Sequence, residues 1–141
     1  MNEPLSRLVR FFEHLSPADV ERLDEIYAPD AYFKDPFNEV RGVPQIAQVF
    51  RHMFARLAQP RFVVREAIAD GDQAFLTWDF EFQFRGGAPR GPQVVRGATH
   101  LRFAADGRVA WHRDYWDAAE ELYGKLPVLG GLMRWLKRRV G

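Results

Sequence analysis

Near residue 60 the chain changes the period of its hydrophobic pattern. Before that point, Leu5, Leu8, Val9, Phe12 and Leu15 recur at helical spacing, with Pro4 in the first turn. Ser16-Pro17-Ala18-Asp19 is a helix start, with Ser as N-cap, Pro at the first helical position and an acid in the first turn. Val20, Leu23 and Tyr27 face one way until Pro29 stops that second helix, and a short strand is expected over 31–35. After Gly42 a third helix presents Ile46, Val49, Phe50, Met53 and Leu57 and ends before Pro60.

Period two then takes over. Strands are expected over 61–69, 73–84, 93–104 and 108–116, separated by Asp70-Gly71, a Gly- and Pro-rich loop at 85–92, and Asp106-Gly107. In 73–84, Leu76, Trp78, Phe80, Phe82 and Phe84 share one face, opposite Thr77, Asp79, Glu81 and Gln83. Helices followed by a meander predict an α+β domain whose curved antiparallel sheet wraps three N-terminal helices. Residues 1–117 form this domain and 118–141 a helical extension of it.

In the extension, a helix beginning at Asp117 is broken by residues 126–131, and another starts at Leu132. Leu132, Trp135 and Leu136 lie on one face, with Arg134, Lys137, Arg138 and Arg139 around it. A membrane-surface helix is one reading. Because the helix spans about two turns, packing over the mouth of the domain or onto a partner subunit is preferred.

The length of 141 residues suits one domain, and a composition 47% hydrophobic and 28% charged makes it globular. Twenty basic residues nearly balance nineteen acidic ones, which argues against a dedicated nucleic-acid binder. The chain has no Cys, so disulfides and thiol catalysis are excluded, and a cytoplasmic location is expected. Charges at residues 3, 7, 10 and 13 leave no secretory apolar region, and no apolar run reaches the ~20 residues of a membrane span. Twelve Phe and four Trp fill a core or wall an apolar cavity.

The candidate chemistry lies at 111–116, Trp-His-Arg-Asp-Tyr-Trp. On a strand, His112, Asp114 and Trp116 share one face, and Arg113 and Tyr115 the other. An unpaired carboxylate on an inner face is costly, so this face marks a pocket. Two residues of strand rise separate His112 and Asp114 by ~6.6 Å, a spacing suited to a shared ligand or water rather than to a direct hydrogen bond.

The order of elements resembles the nuclear transport factor 2-like (NTF2-like) superfamily, which includes ketosteroid isomerase, the SnoaL-like polyketide cyclases and limonene epoxide hydrolase. Tyr27-Ala28-Pro29-Asp30-Ala31, Phe33-Lys34-Asp35-Pro36 and Arg41-Gly42 are similar to the isomerase segment leading to its general base. His100-Leu101-Arg102-Phe103 with Asp106-Gly107 resembles the penultimate strand and final hairpin. The resemblance implies a cone-shaped α+β fold and puts Asp35 at the proton-shuttling position. It puts Phe11 and Thr99 where the isomerase oxyanion hole has Tyr and a protonated Asp, and Phe50 where a supporting Tyr stands. Phe donates no hydrogen bond, so ketosteroid isomerase activity should be low.

The SnoaL-like cyclases, with acid–base residues on their late strands, are the better match. The Asp-Arg-Asp set of the epoxide hydrolases is a poor one, because Arg102 and Arg113 face away from the pocket. Asp35, His112 and Asp114 are therefore the expected catalytic residues. Phe11, Phe33, Phe50, Trp78, Phe80, Thr99, Leu101 and Trp116 are the expected ligand-binding lining. Asp35 has a second reading as the cap of a Phe37-Asn38 turn. No cofactor is expected, and no metal, since no spacing motif supports His112, Asp114 and Asp35 as a facial set.

The expected function is acid–base chemistry on a small apolar molecule. The alternative is a non-catalytic ligand-binding or regulatory domain. A homodimer is expected through the outer sheet face, where Thr77, Asp79, Glu81, His100, Arg102, Arg113 and Tyr115 lie.

Overall fold

A computed structural model describes residues 3–86, 89–121 and 127–140. Helix α1, Glu3–Glu13, buries Leu5, Leu8 and Phe12, the i, i+3, i+7 stripe of its sequence. At Ser16 the chain turns into a 3₁₀ segment, Pro17–Glu25, where the Asp19 carboxylate accepts from both the Ser16 N–H (2.9 Å) and its hydroxyl (3.0 Å). Val20 and Leu23 are buried as expected.

The helical reading of Tyr27 is corrected. Strand β1 runs Tyr27–Lys34, with Pro29 inside it. The pairing of β1 shifts register between Tyr27 and Tyr32, so the missing N–H of Pro29 costs no ladder bond. A short strand β2, Glu39–Arg41, was not anticipated. Gly42, at φ 95°, then leads into α2, Val43–Arg56, which buries Ile46, Ala47 and Phe50.

Four long strands follow: β3 (Leu57–Asp70), β4 (Gln73–Phe84), β5 (Gln93–Phe103) and β6 (Val109–Tyr115). Leu57 and Pro60 belong to β3 rather than to a helix end. Pro60 falls in a register irregularity between Ala58 and Arg61 on this edge strand. The sheet order is β2-β1-β6-β5-β4-β3. Every pair is antiparallel except β1–β6, which is parallel and corrects the wholly antiparallel expectation. This pairing brings the start of the chain's first strand against its last one.

Alternation holds as the sequence pattern requires. Leu76, Trp78 and Phe82 are buried on the inner face of β4, and Phe75 is exposed on the outer face, stacked on His100 of β5 (4.4 Å between centroids). Beyond β6, α3 (Ala118–Glu121) is tied to β5, because buried Glu121 accepts from the Arg96 N–H (2.8 Å) and guanidinium (2.7 and 3.0 Å). Residues 122–126, where the first tail helix was expected to continue, lie outside the described residues, as do 87 and 88 of the Gly- and Pro-rich loop.

Helix α4 spans Pro127–Val140, so the expected break at 127–131 is instead its first turns. Pro127 takes the first helical position, where a missing N–H costs nothing. Leu132, Trp135 and Leu136 are exposed rather than packed over the domain's mouth.

Candidate active site

The inner face of the sheet and the helices α1 and α2 enclose a cavity of about 340 Å³. Its walls are apolar and aromatic. Of the expected lining, Phe33, Phe50, Trp78, Phe80, Thr99 and Trp116 border it, together with Asp35, His112 and Asp114. Phe11 and Leu101 do not border it. Phe12 takes the place of Phe11, because the stripe Leu5, Leu8, Phe12 faces the sheet and Phe11 lies one residue, about 100° of helix, away from it. Leu101 is fully buried in the core. Not anticipated from the sequence, His52 and Arg56 bring polar groups to the same cavity, and Phe37 and Asn38 of the Asp35 turn also line it.

Strand parity carries His112 and Asp114 inward. Their side chains meet directly: His112 Nε2 lies 2.7 Å from Asp114 Oδ1. The expectation that strand rise keeps them apart is corrected, since the rise separates Cα atoms and the two side-chain ends converge. His112 Nδ1 lies 2.7 Å from the hydroxyl of Tyr27, 85 residues earlier, which the parallel β1–β6 pairing delivers. Thr99 Oγ1 donates to Asp114 Oδ1 at 2.6 Å, and Trp78 Nε1 donates to Thr99 Oγ1 at 2.7 Å. Sequence reasoning placed Thr99 and Trp78 in the lining but not in this chain of bonds, and it missed Tyr27 altogether.

The donor inventory sets the direction of the Trp78 and Thr99 bonds, and the tautomer of His112 sets the other two. An indole N–H only donates, so the Thr99 hydroxyl accepts from Trp78 and passes its own proton toward Asp114. Tyr27 is fully buried, and its O–H has His112 Nδ1 as its partner. A neutral imidazole that accepts at Nδ1 carries its proton on Nε2, which then donates to Asp114. In that tautomer both lines of donors end on Asp114 Oδ1. Burial, and secondarily the Asp114 charge, push the Tyr27 hydroxyl well above its ordinary value and keep its proton in place.

Asp114 keeps 16% of its side-chain exposure on the cavity side, and its Oδ2 accepts no hydrogen bond from the described residues. His112 has no free ring nitrogen, because both are bonded within the protein. Phe33 (4.6 Å between centroids) and Phe12 (6.0 Å) pack on its ring and fix its tilt. Gly97 makes room for the chain of donors: a Cβ built there would fall on the Trp78 indole, 2.6 Å from Cζ2.

Asp35 borders the cavity but is bonded to its own turn. Its Oδ1 accepts from the N–H groups of Phe37 (2.8 Å) and Asn38 (2.7 Å) and from the Asn38 amide (3.0 Å), whose Nδ2 also reaches Oδ2 (3.1 Å). The cap reading of Asp35 describes these contacts. Among the described residues, no three His, Cys, Asp or Glu side chains gather as a metal-holding group.

Comparison with known proteins gives the same architecture. The chain is similar to a nuclear transport factor 2-like protein of unknown function from Burkholderia pseudomallei, at 18% identity and TM-score 0.75, covering 90% of this chain and 100% of that one. It is also similar to a hypothetical protein with a ketosteroid isomerase-like fold from Catenulispora acidiphila, solved in complex with trimethylamine, at 21% identity and TM-score 0.74, covering 90% and 95%. A third solved structure, a SnoaL-like polyketide cyclase (so described provisionally) from Jannaschia, gives 19% identity and TM-score 0.73, covering 86% and 90%. These likenesses show the fold alone. No match was found among curated proteins. The profile of the SnoaL-like domain matches residues 8–112, most of the chain and nearly the whole wall of the cavity. The chain belongs to the SnoaL-like family, on the NTF2-like fold.

Proposed function

We propose that this protein is a small-molecule acid–base enzyme in which Asp114 moves a proton on an apolar substrate, as in isomerase or cyclase chemistry. The observation that carries the reading is the free Oδ2 of a carboxylate whose Oδ1 is held by two donors inside an aromatic cavity. An apolar site strengthens an anionic base by excluding the water that would solvate it. His112 acts as a positioning residue, with Tyr27 setting its tautomer and Thr99 and Trp78 completing the hold on Asp114. The substrate offers an acidic C–H or O–H to Oδ2 and apolar surface to Phe33, Phe50, Phe62 and Phe80. A polyketide-like ring system, suggested by the cyclase among the structural relatives, meets that description.

A probe that needs only a base tests this without knowledge of the natural substrate. With 5-nitrobenzisoxazole, the carboxylate takes the ring C–H proton, the N–O bond breaks, and a cyanophenolate leaves. Wild-type protein should turn it over, and Asp114→Asn should lose that activity. A wild-type rate equal to that of buffer acetate would leave Asp114 as a ligand contact of a non-catalytic binding domain. Trimethylamine in one structural relative favours that second reading for a cationic ligand, which the Asp114 charge and the aromatic wall would also accommodate.

The outer sheet face supports a homodimer. Ile68 (69% exposed), Phe75 (51%), Val94 (41%) and Tyr115 (47%) form its apolar part, and Arg113 lies over the Tyr115 ring at 4.5 Å. Light scattering should give twice the chain mass, whereas 16.4 kDa in both low and high salt would contradict the dimer.

A further inference from the structure

Helix α4 lies beyond the matched SnoaL-like domain, which ends at residue 112. It carries Arg134, Lys137, Arg138 and Arg139 and no acid. These are four of the chain's twenty basic residues and none of its nineteen acidic ones, so sixteen basic residues face nineteen acidic ones in the rest of the sequence. A nearly neutral chain is thus a net-acidic body with a strongly basic end.

Four apolar residues of α4 form one stripe. Leu132, Trp135, Leu136 and Val140 stand at i, i+3, i+4 and i+8, and they are 47%, 49%, 41% and 86% exposed. By the same 3.6-residue period, Arg134, Lys137 and Arg138 occupy the opposite arc. Arg139, at i+7 from Leu132 and i+4 from Trp135, falls within the stripe, its guanidinium 5.7 Å from the centre of the Trp135 ring. An indole and three aliphatic side chains, with Arg139 among them able to turn its guanidinium to the headgroups along its apolar stem, and with the other cations on the opposite arc, match a helix that lies in the plane of a membrane interface. Among the described residues no helix is long and apolar enough to cross a membrane, so α4 would lie on the bilayer rather than span it.

We infer that α4 docks this domain onto an anionic lipid surface, with the Leu132–Trp135–Leu136–Val140 stripe at the headgroup–acyl boundary and the basic arc among the phosphates. Charge selects this occupant. A second copy of α4 would bring the same four positive charges against the first. A nucleic acid would satisfy the cations but leave the aliphatic stripe in water. The buried Glu121–Arg96 pair holds α3 on the sheet, so the chain approaches α4 from a fixed point of the domain.

Co-sedimentation of the intact protein with vesicles tests the inference. Binding is expected to vesicles of phosphatidylcholine mixed with phosphatidylglycerol and not to phosphatidylcholine alone, and it should weaken as salt rises. Removing two charges in Lys137→Ala/Arg138→Ala should weaken partitioning about 25-fold, at about fivefold per basic residue. Trp135→Ser should weaken it with the charge intact. Thermal midpoints of both variants should match wild type, since the substituted side chains are exposed. Failure to sediment with the anionic vesicles, or equal binding to both compositions, overturns the inference. So does a dimer that Trp135→Ser converts to monomer, which would make α4 a contact between copies, or salt-sensitive binding to DNA in place of vesicles. None of these readouts depends on turnover at Asp114.

Discussion

Two aspartates border the same cavity and are held in opposite ways. Asp35 follows β1 at a turn, and its oxygens take four hydrogen bonds from Phe37 and Asn38. Asp114 sits near the end of β6, takes two donors on Oδ1, and has no described donor on Oδ2. Local chain satisfies the first carboxylate. His112 on the same strand and Thr99 of β5, themselves held by Tyr27 of β1 and Trp78 of β4, orient the second and leave one of its oxygens for a ligand. Under the proposed function, the contrast separates a carboxylate that builds the wall from one that acts on what the wall encloses.

Substitution should split the pair. The largest effect is expected at Asp114: Asn there should lower 5-nitrobenzisoxazole turnover by roughly 10²–10⁴-fold, the range of a positioned general base. Asp35→Asn should stay near wild type in the same assay. Equal losses at both positions would break the distinction.

Next comes the support of Asp114. Gly97→Ala drives a methyl group into the Trp78 indole and should cost about 1–3 kcal/mol in urea denaturation, the range for overpacked sites. It should also lower turnover, because a shifted indole releases Thr99. A stable, fully active variant would show that the Trp78–Thr99 contact does not position Asp114. Thr99→Val strands the Trp78 N–H and should cost about 1–3 kcal/mol, whereas Thr99→Ser should recover most of it.

Tyr27 gives a pH signature. Its folded value is raised by burial and then by the Asp114 charge, so the neutral phenol is the form the fold favours. Below the ordinary value of about 10 both states are protonated and the full contribution is present. As pH rises from there toward the folded value, the unfolded chain ionises first and stability falls, by up to about 1.4 kcal/mol per pH unit for this one proton. Tyr27→Phe should remove that part of the slope. An unchanged alkaline profile would mean that Tyr27 is not held neutral. The smallest effect is expected for Asp35→Ala, about 1 kcal/mol of stability from the lost turn bonds.

Much of this arrangement could be read from residue order. Period two from residue 73 onward set the inner faces of β4, β5 and β6, and with them His112, Asp114, Thr99, Trp78 and Trp116. The helical stripe of α1 already singled out Phe12 over Phe11; alignment by resemblance alone shifted the choice by one residue. Tyr27 was hidden because its neighbours Val20 and Leu23 continue a helical spacing into β1, and because its partner lies 85 positions away. The parallel β1–β6 pair was hidden for the same reason: a meander signals the hairpins between adjacent strands and nothing about a long-range pairing. The direct His112–Asp114 bond lay outside a reasoning based on backbone rise, which does not say where two side chains end.

The direction of the hydrogen bonds through His112 carries the most weight, and ¹⁵N NMR of the imidazole reads it directly. The expected spectrum near neutral pH is that of a neutral ring with its proton on Nε2 and an unprotonated Nδ1 accepting from Tyr27. A proton on Nδ1 with Nε2 bare would contradict it, since Asp114 would then be a neutral acid donating to His112 rather than an anion facing the cavity.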